Sequence, residues 1–303
     1  MISERATVYT LADNRFLPAV VGLINSLRSN GFTGLIKVGS PEILNIEKPC
    51  LTNVEFIQIG DSDLWIGNRK PGFILEHPNE QFIYFDADIV LNDETFFERL
   101  EDWLNIGPVF SVEGLVPPMD HRRHVWRKRL QVLNAVRDDE ICYYNSGFFA
   151  GVMSRDGDII NRWDRTMEKV LQRPGNIYCD KDFPMPDQDT LNAILQDWPT
   201  RPVGICSPDL WTAAQSVSPF LHVGTFRTPA ILHCTGQAKP WMLRQVPPRG
   251  PSIYDKLWYL HAVINPTPFN YQHRMSKIMH SWFKGTVPGR LVQFYRRICT
   301  KLI

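Results

Sequence analysis

The run Phe82-Ile83-Tyr84-Phe85-Asp86-Ala87-Asp88-Ile89-Val90 constrains this chain more than any other stretch. Its apolar, aromatic and β-branched residues describe a buried strand, and two carboxylates one residue apart interrupt it. An ionised carboxylate buried without a partner costs several kcal/mol, so two at one strand end call for a compensating cation. Side chains at i and i+2 project the same way from extended chain, which lets Asp86 and Asp88 share one divalent ion. Oxygen ligands favour Mg²⁺ or Mn²⁺ over zinc. The competing reading is that both aspartates only cap the following turn, since Asn92-Asp93 lies just beyond.

Around this strand the chain reads as alternating β and α. Ala6 to Leu11 is strand-like, Ala12-Asp13-Asn14 is a turn, and Phe16, Leu17, Val20, Val21, Ile24 and Leu27 recur at helical spacing. Leu35 to Val38 and Val54 to Ile59 are further strands, and a helix is expected near residues 70–76 before Phe82. Such alternation implies an α/β fold with a doubly wound, mostly parallel sheet. Ligands bind such sheets beyond the carboxyl ends of the strands, where Asp13-Asn14 and Asp86-Ala87-Asp88 both fall. Asn92-Asp93 is read as the cap of a helix through Phe96, Phe97, Leu100 and Trp103, and Val109 to Val112 as extended chain. Residues 120–137, rich in Arg, Lys and His, read as an exposed basic helix with a solvated face, contact with a phosphorylated acceptor being the alternative. Tyr143 to Met153 is too apolar and too punctuated by Gly147 and Gly151 for a helix. Ile159 to Leu171 is helical, and Pro186-Asp187-Gln188-Asp189 opens another helix, with Asp187 either its N-cap or, with Gln188, facing a substrate. Ile231 to Trp241 runs from strand into a tight turn containing Gly236.

Length and composition fit a globular chain: 303 residues, 44% hydrophobic and 21% charged. Six cysteines without a CxxC pair point to reduced, intracellular thiols. The first residues lack a secretory pattern, and no apolar run is long enough to span a bilayer. The charge is lopsided. Against a net +1 for the chain, eight basic and no acidic residues follow Asp255, which leaves −7 for residues 1–255. The tail from 266 to 303 divides into two segments that can each form a basic amphipathic helix. Met275, Ile278, Met279, Trp282 and Phe283 line one; Leu291, Tyr295, Ile298 and Leu302 line the other. That pattern divides the chain into a main domain over 1–265 and a tail that lies on an anionic membrane surface, giving a peripheral protein on the cytoplasmic face. Packing of the tail on the main domain is the other option. The acidic body and the lack of a recognised motif speak against nucleic acid.

The aspartate pair, Asn145-Ser146-Gly147, Asp187-Gln188-Asp189 and the run His233-Cys234-Thr235-Gly236-Gln237-Ala238-Lys239-Pro240-Trp241 together resemble the retaining glycosyltransferases of family 8. The resemblance covers roughly residues 6–241. It implies a GT-A fold, a nucleotide-sugar donor, usually UDP-linked, Mn²⁺ with Mg²⁺ as an alternative, and a saccharide or glycolipid acceptor. By this resemblance Asp86, Asp88 and His233 are the metal ligands. Gly236 and Lys239 match diphosphate contacts, Asp13 and Asn14 face the nucleoside, and Lys70 and Ala87 lie along the donor. Asn145, Ser146, Asp187 and Gln188 line the donor sugar, the last two as the catalytic pair. A neutral amide is a poor nucleophile, so front-face attack is favoured, with Gln188 stabilising positive charge on the sugar. Two departures stand out. Arg15-Phe16 occupies a turn where relatives often place an aromatic residue, and Ser146 stands where Ala is commoner.

Two other classes compete. In a haloacid-dehalogenase-type phosphohydrolase the first Asp would be a phosphorylated nucleophile and the second a general acid. A degenerate glycosyltransferase would only bind a sugar or a partner.

Overall fold

The computed structural model describes residues 1–42, 52–60, 62, 64–113, 120–131, 142–171, 179–196, 198, 202–205, 211–213, 229–235, 239–242 and 252–264. A short helix, α1 (Ile2–Arg5), leads into β1 (Thr7–Leu11), α2 (Leu17–Ser29), β2 (Leu35–Ser40) and β3 (Val54–Gln58). A 3₁₀ turn, Ile66–Arg69, runs directly into α3 (Lys70–Glu76), which precedes β4 (Gln81–Phe85) and β5 (Ile89–Leu91). Then come α4 (Phe96–Ile106), β6 (Val109–Glu113), α5 (His121–Leu130), β7 (Tyr143–Val152), α6 (Met153–Leu171) and α7 (Pro186–Leu195). The short strands β8 (Val203–Ile205), β9 (Trp211–Ala213) and β10 (Ile231–His233) precede α8 (Ile253–Tyr259), which continues into a π turn at Leu260–Ile264.

Seven strands form the main sheet in the order β3-β2-β1-β4-β7-β6-β8. The pairings β2–β3, β1–β2, β1–β4 and β6–β8 are parallel; β7 alone runs against its neighbours β4 and β6. The chain winds outward from β1 through β2 to β3, then returns to β4 on the other side of β1. This reversal leaves a crevice beyond Leu11 and Phe85, the usual ligand position in such sheets. A second sheet, β5-β10-β9, follows the crevice.

The period-two alternation of β4 sorts its side chains into two cores. Ile83 and Phe85 join Val8, Ile36 and Val38 under α2, α4 and α8, whereas Phe82 and Tyr84 join Tyr9, Phe73 and the inward residues of α6 and α7. Aromatic rings dominate the second face: Tyr84 stacks on Phe149 at 5.0 Å, and Phe149 meets Trp163 edge-on at 5.1 Å. Burial of both faces explains why β4 and β7 read as nearly continuous apolar runs.

Several expectations need correction. The helix after β5 starts at Phe96 with Thr95 as its N-cap; Asp93 instead accepts the Thr95 backbone N–H at 2.8 Å and orders the turn before it. Basic helix α5 is not a purely solvated face. Arg123 and Trp126 are buried on one side, Trp126 Nε1 donates to Asp182 O at 2.7 Å, and Arg129 pairs with Asp180 and Asp182. Three charges per turn mask an i, i+3 buried stripe, which is why periodicity alone gives a polar helix. Residues 132–137 of the expected helix lie outside the described residues, as does the whole tail 266–303. Among the described residues no helix is long and apolar enough to cross a membrane.

Gly22 shows packing overruling propensity. In the interior of α2, alanine would gain about 1 kcal/mol over glycine. A Cβ there would lie 2.6 Å from Trp258 Cδ1 and 3.0 Å from Nε1, and that indole is locked, fully buried and donating to Pro18 O at 2.9 Å. Overpacking costs roughly 1–3 kcal/mol, so Gly22→Ala should lower the urea midpoint rather than raise it. Stabilisation by the substitution would show that α8 does not pack on α2 in this way.

Candidate metal and donor site

Asp86 is the first residue past β4. Its N–H donates to Gly147 O at 2.7 Å, extending the β4–β7 ladder by one bond, and its carbonyl accepts from Ile89 N at 3.0 Å, closing the turn into β5. The antiparallel β5–β10 pairing sets Ile89 opposite His233, and Cys234 N donates to Asp88 O at 3.1 Å. His233 is thereby carried to the aspartates from almost 150 residues away. Its Nε2 lies 3.3 Å from Asp88 Oδ1 and 3.5 Å from Asp86 Oδ2.

One ligand atom from each of Asp86, Asp88 and His233 falls within 4.8 Å of the others, and among the described residues this is the group that could hold a metal ion. Two carboxylate oxygens and an imidazole nitrogen suit Mn²⁺ or Mg²⁺. Gly147 keeps the cradle open. A Cβ at that position would run into His233 Cε1 and lie 2.7 Å from Asn145 Oδ1 and 2.8 Å from Asp86 Oδ2.

Two buried lysines flank the carboxylates. Lys70, at the start of α3, donates to Asp187 Oδ2 at 2.8 Å and to Ser146 Oγ at 3.2 Å, and lies 2.9 Å from Asp86 Oδ1. Burial works to lower its pKa, but Asp187 and Asp86 outweigh that and raise it, so the ammonium stays charged. Lys239 donates to Asp88 Oδ2 at 2.6 Å and to the carbonyl of Cys234. Burial raises the Asp88 carboxyl, yet His233 and Lys239 hold it well below the usual carboxylate range. Asp187 is lowered in the same manner: burial opposes ionisation, while Lys70 and Ser146 favour it. His233 is raised, since the pull of Asp88 exceeds the effect of burial.

Asp187 is the second residue of α7, whose N-cap is Met185, so the capping reading of Asp187 fails. Its carboxylate accepts from Ser146 Oγ at 2.6 Å, and its carbonyl accepts from Trp163 Nε1 at 2.8 Å. The hydroxyl that alanine would lack at position 146 thus ties Lys70 to Asp187. Gln188, one residue on, accepts the Ser146 N–H at 3.2 Å and donates from Nε2 to Glu113 Oε2 at 3.0 Å. Asn145 Nδ2 donates to the same oxygen at 2.8 Å, while Asn145 Oδ1 accepts from Gly147 N at 2.7 Å.

The structure therefore gathers Asp86, Asp88, His233, Lys70, Lys239, Asn145, Ser146, Asp187 and Gln188 into one cluster, with Ala87 buried between the aspartates. Gly236 lies outside the described residues. Asp13 and Asn14 stand apart at the end of β1. Asp13 is bound to its own turn, accepting from Arg15 N at 2.9 Å and pairing with the Arg15 guanidinium at 2.6 Å; Asn14 Nδ2 donates to Glu42. Phe16 packs edge-on against Trp241 at 5.8 Å, with Lys239 5.9 Å from the Phe16 ring centre, which connects this turn to the lysine. Sequence reading missed Glu113. The signal was its place, one residue past a recognised strand at the ligand-binding edge of the sheet.

No protein-family model matches the sequence, and no curated protein matches it. Among solved structures, WbbM, described as a bifunctional glycosyltransferase in its apo form, superposes with a TM-score of 0.57 at 13% identity over 92% of this chain and 51% of its own. The apo-form glycosyltransferase GlyE of Streptococcus pneumoniae TIGR4 superposes with a TM-score of 0.53 at 13% identity, over 93% of this chain and 63% of its own. The chain thus spans about half the length of WbbM and under two thirds of GlyE. At this identity the shared property is the fold: an α/β architecture around a large, mostly parallel sheet.

Gly147→Ala tests the cradle. Because the added methyl meets His233 and Asp86 rather than the apolar core, the expected outcome is a near-native melting temperature with Mn²⁺ affinity reduced roughly 10- to 100-fold, read by electron paramagnetic resonance titration. Unchanged Mn²⁺ affinity in the folded variant would show that this cluster is not where the ion sits.

Proposed function

We propose that this chain is a metal-dependent retaining glycosyltransferase that moves a hexose from a UDP-linked nucleotide sugar to a saccharide or glycolipid acceptor, in lipopolysaccharide or other surface-glycan synthesis. The observation that carries the reading is the convergence of Asp86, Asp88 and His233, flanked by Lys70 and Lys239, at the carboxyl edge of a sheet whose fold two solved glycosyltransferases share. A divalent ion held by the two aspartates and the histidine would supply Lewis-acid charge to the departing diphosphate. Lys239, set on Asp88, puts a second basic side chain at the same place. Asn145, Ser146 and Asp187 form the wall that holds the donor sugar. Gln188, an amide rather than a carboxylate, serves to stabilise positive charge developing on that sugar during front-face attack.

The dehalogenase reading fares worse, because the aspartate pair follows the fourth strand of the main sheet and its partner from late in the chain is a histidine. For the binding-only reading, the filled ligand positions leave no specific support.

The deciding experiment is a screen of nucleotide sugars for slow donor hydrolysis with Mn²⁺. Turnover should vanish with excess EDTA, return on adding Mn²⁺, and fall roughly 100-fold or more in Asp88→Ala. Full activity after demonstrated metal removal would refute the metal role; no donor turned over by the intact protein would favour a sugar-binding protein.

The same reading places the catalytic domain at 1–265 and gives residues 266–303 a part in delivering the cleft to a membrane-borne acceptor. Full-length protein should sediment with anionic vesicles at low salt and release at high salt. A variant with Arg290, Arg296, Arg297 and Lys301 changed to Gln should sediment markedly less, each basic residue contributing about 1 kcal/mol. Equal sedimentation by the two would refute this role for the tail.

A further inference from the structure

We propose that Glu113 is a positioning residue that fixes which end of the Gln188 amide faces the donor sugar. The proposal rests on the glycosyl-transfer reading for its consequence, but on the structure for its geometry. A glutamine amide has two ends of nearly equal shape and opposite chemistry, a carbonyl that accepts and an NH₂ that donates. A group meant to stabilise positive charge must present the carbonyl. Ser146 N–H, 3.2 Å from Gln188 Oε1, can only donate, and a carboxylate such as Glu113, 3.0 Å from Nε2, can only accept. Reversing the amide would set an N–H₂ against an N–H and a carbonyl against a carboxylate.

Glu113 holds a second amide by the same oxygen. Asn145 Nδ2 donates to Oε2 at 2.8 Å, and the far end of that amide is fixed by Gly147 N at 2.7 Å. Both amides of this cluster therefore donate to one carboxylate at the end of β6, Gln188 having the Tyr143 hydroxyl as a further side-chain partner. The strand pairing keeps it there: β6 runs alongside β7 with Ser111 opposite Asn145 and Glu113 opposite Tyr143. The hydrogen bond to a carboxylate also polarises the Gln188 amide and increases the negative charge on its oxygen. Glu113 does this without contributing to the metal cluster of Asp86, Asp88 and His233.

The test compares Glu113→Ala and Glu113→Gln with Gln188→Ala and with the double variant Glu113→Ala/Gln188→Ala. Glu113→Gln keeps an acceptor oxygen and loses only the charge. With whichever nucleotide sugar the intact protein hydrolyses, Glu113→Ala should lower kcat roughly 10- to 100-fold, the loss typical when an outer orienting partner is removed, with a smaller change in donor KM. Glu113→Gln should recover a good part of that loss, and the double variant should lose clearly less than the product of the two single losses, any remainder beyond Gln188→Ala coming from Asn145, the second amide Glu113 holds. Additive losses, or an effect confined to KM, would overturn the proposal.

A readout independent of turnover accompanies these. In protein labelled with ¹⁵N-glutamine, the side-chain NH₂ pair of Gln188, assigned by its disappearance in Gln188→Ala, should shift strongly in Glu113→Ala. Unmoved resonances overturn the proposal whatever the kinetics. Moved resonances in a protein that hydrolyses no nucleotide sugar would uphold the positioning contact and overturn glycosyl transfer instead.

Discussion

The structure depends on one electrostatic problem, the gathering of Asp86, Asp88 and Asp187 at the end of a sheet that is otherwise aromatic and aliphatic. Ionised groups taken from water cost several kcal/mol each, and mutual attraction repays this only when geometry is close and the remaining lone pairs are bonded. Both conditions hold. Lys70 is shared between Asp86 and Asp187, Lys239 is set on Asp88, and Ser146 adds a hydroxyl to the first pair. The lysines carry almost no exposed surface, so their charge is spent on these carboxylates rather than on solvent. Such an arrangement contributes little net stability compared with apolar residues of the same volume. Its worth lies in holding charge at a fixed place, which a cation site requires.

Topology supplies the rest. Strand β7 is the antiparallel member of the sheet, and its direction carries its first residues past the end of β4, whose last residue Phe85 pairs with Phe148. Asn145, Ser146 and Gly147 thereby reach the carboxyl edge, where a parallel strand would have delivered its final residues. The same reversal lets β6 end next to them, with Glu113 opposite Tyr143. Six separate stretches of chain meet at this edge, carrying Lys70, Asp86 with Asp88, Glu113, Asn145 to Gly147, Asp187 with Gln188, and His233 with Lys239, and the aromatic core fixes their spacing. Trp163 joins the two levels: its ring packs on Phe149 and its Nε1 binds the carbonyl of Asp187.

Features with a strong local signature were legible in the sequence. The β4 run, the βα unit before it and the helix beginning near residue 70 announced themselves by periodicity, and Lys70 stands at the first position of that helix. Asp86 and Asp88 were visible because carboxylates do not sit idle at the end of a buried strand. Glu113 was not, because a glutamate ending a strand is ordinary in isolation; only the β6–β7 pairing gives it partners. Arg123 was misjudged for the opposite reason. A helix with charges at 122, 123, 127, 128 and 129 reads as solvated, and only tertiary packing reveals that positions 123 and 126 face inward. The second sheet was legible only in part: Ile231 onward read as strand and Ile89-Val90 as the end of the β4 run, while β9 and the pairing of the three escaped, since a strand of three residues carries little pattern.

Ser146 shows how a departure from a familiar pattern acquires a physical meaning. Read along the sequence, serine in place of alanine is a small polar change that could alter a sugar contact. In the structure its Oγ donates to Asp187 and accepts from Lys70, and its backbone N–H donates to Gln188. A residue with alanine's backbone and no hydroxyl would keep the contact to Gln188 and lose the other two. Asp187 would then rely on Lys70 and the backbone N–H of Gln188, while Lys70 would keep Asp86 and the Ser146 carbonyl at 3.3 Å. The hydroxyl therefore helps divide the buried cation between two carboxylates, Asp86 in the Asp-Asp-His cluster and Asp187 beside Gln188. The charge felt at each follows from that division, so the electrostatics of the two carboxylates become coupled through position 146.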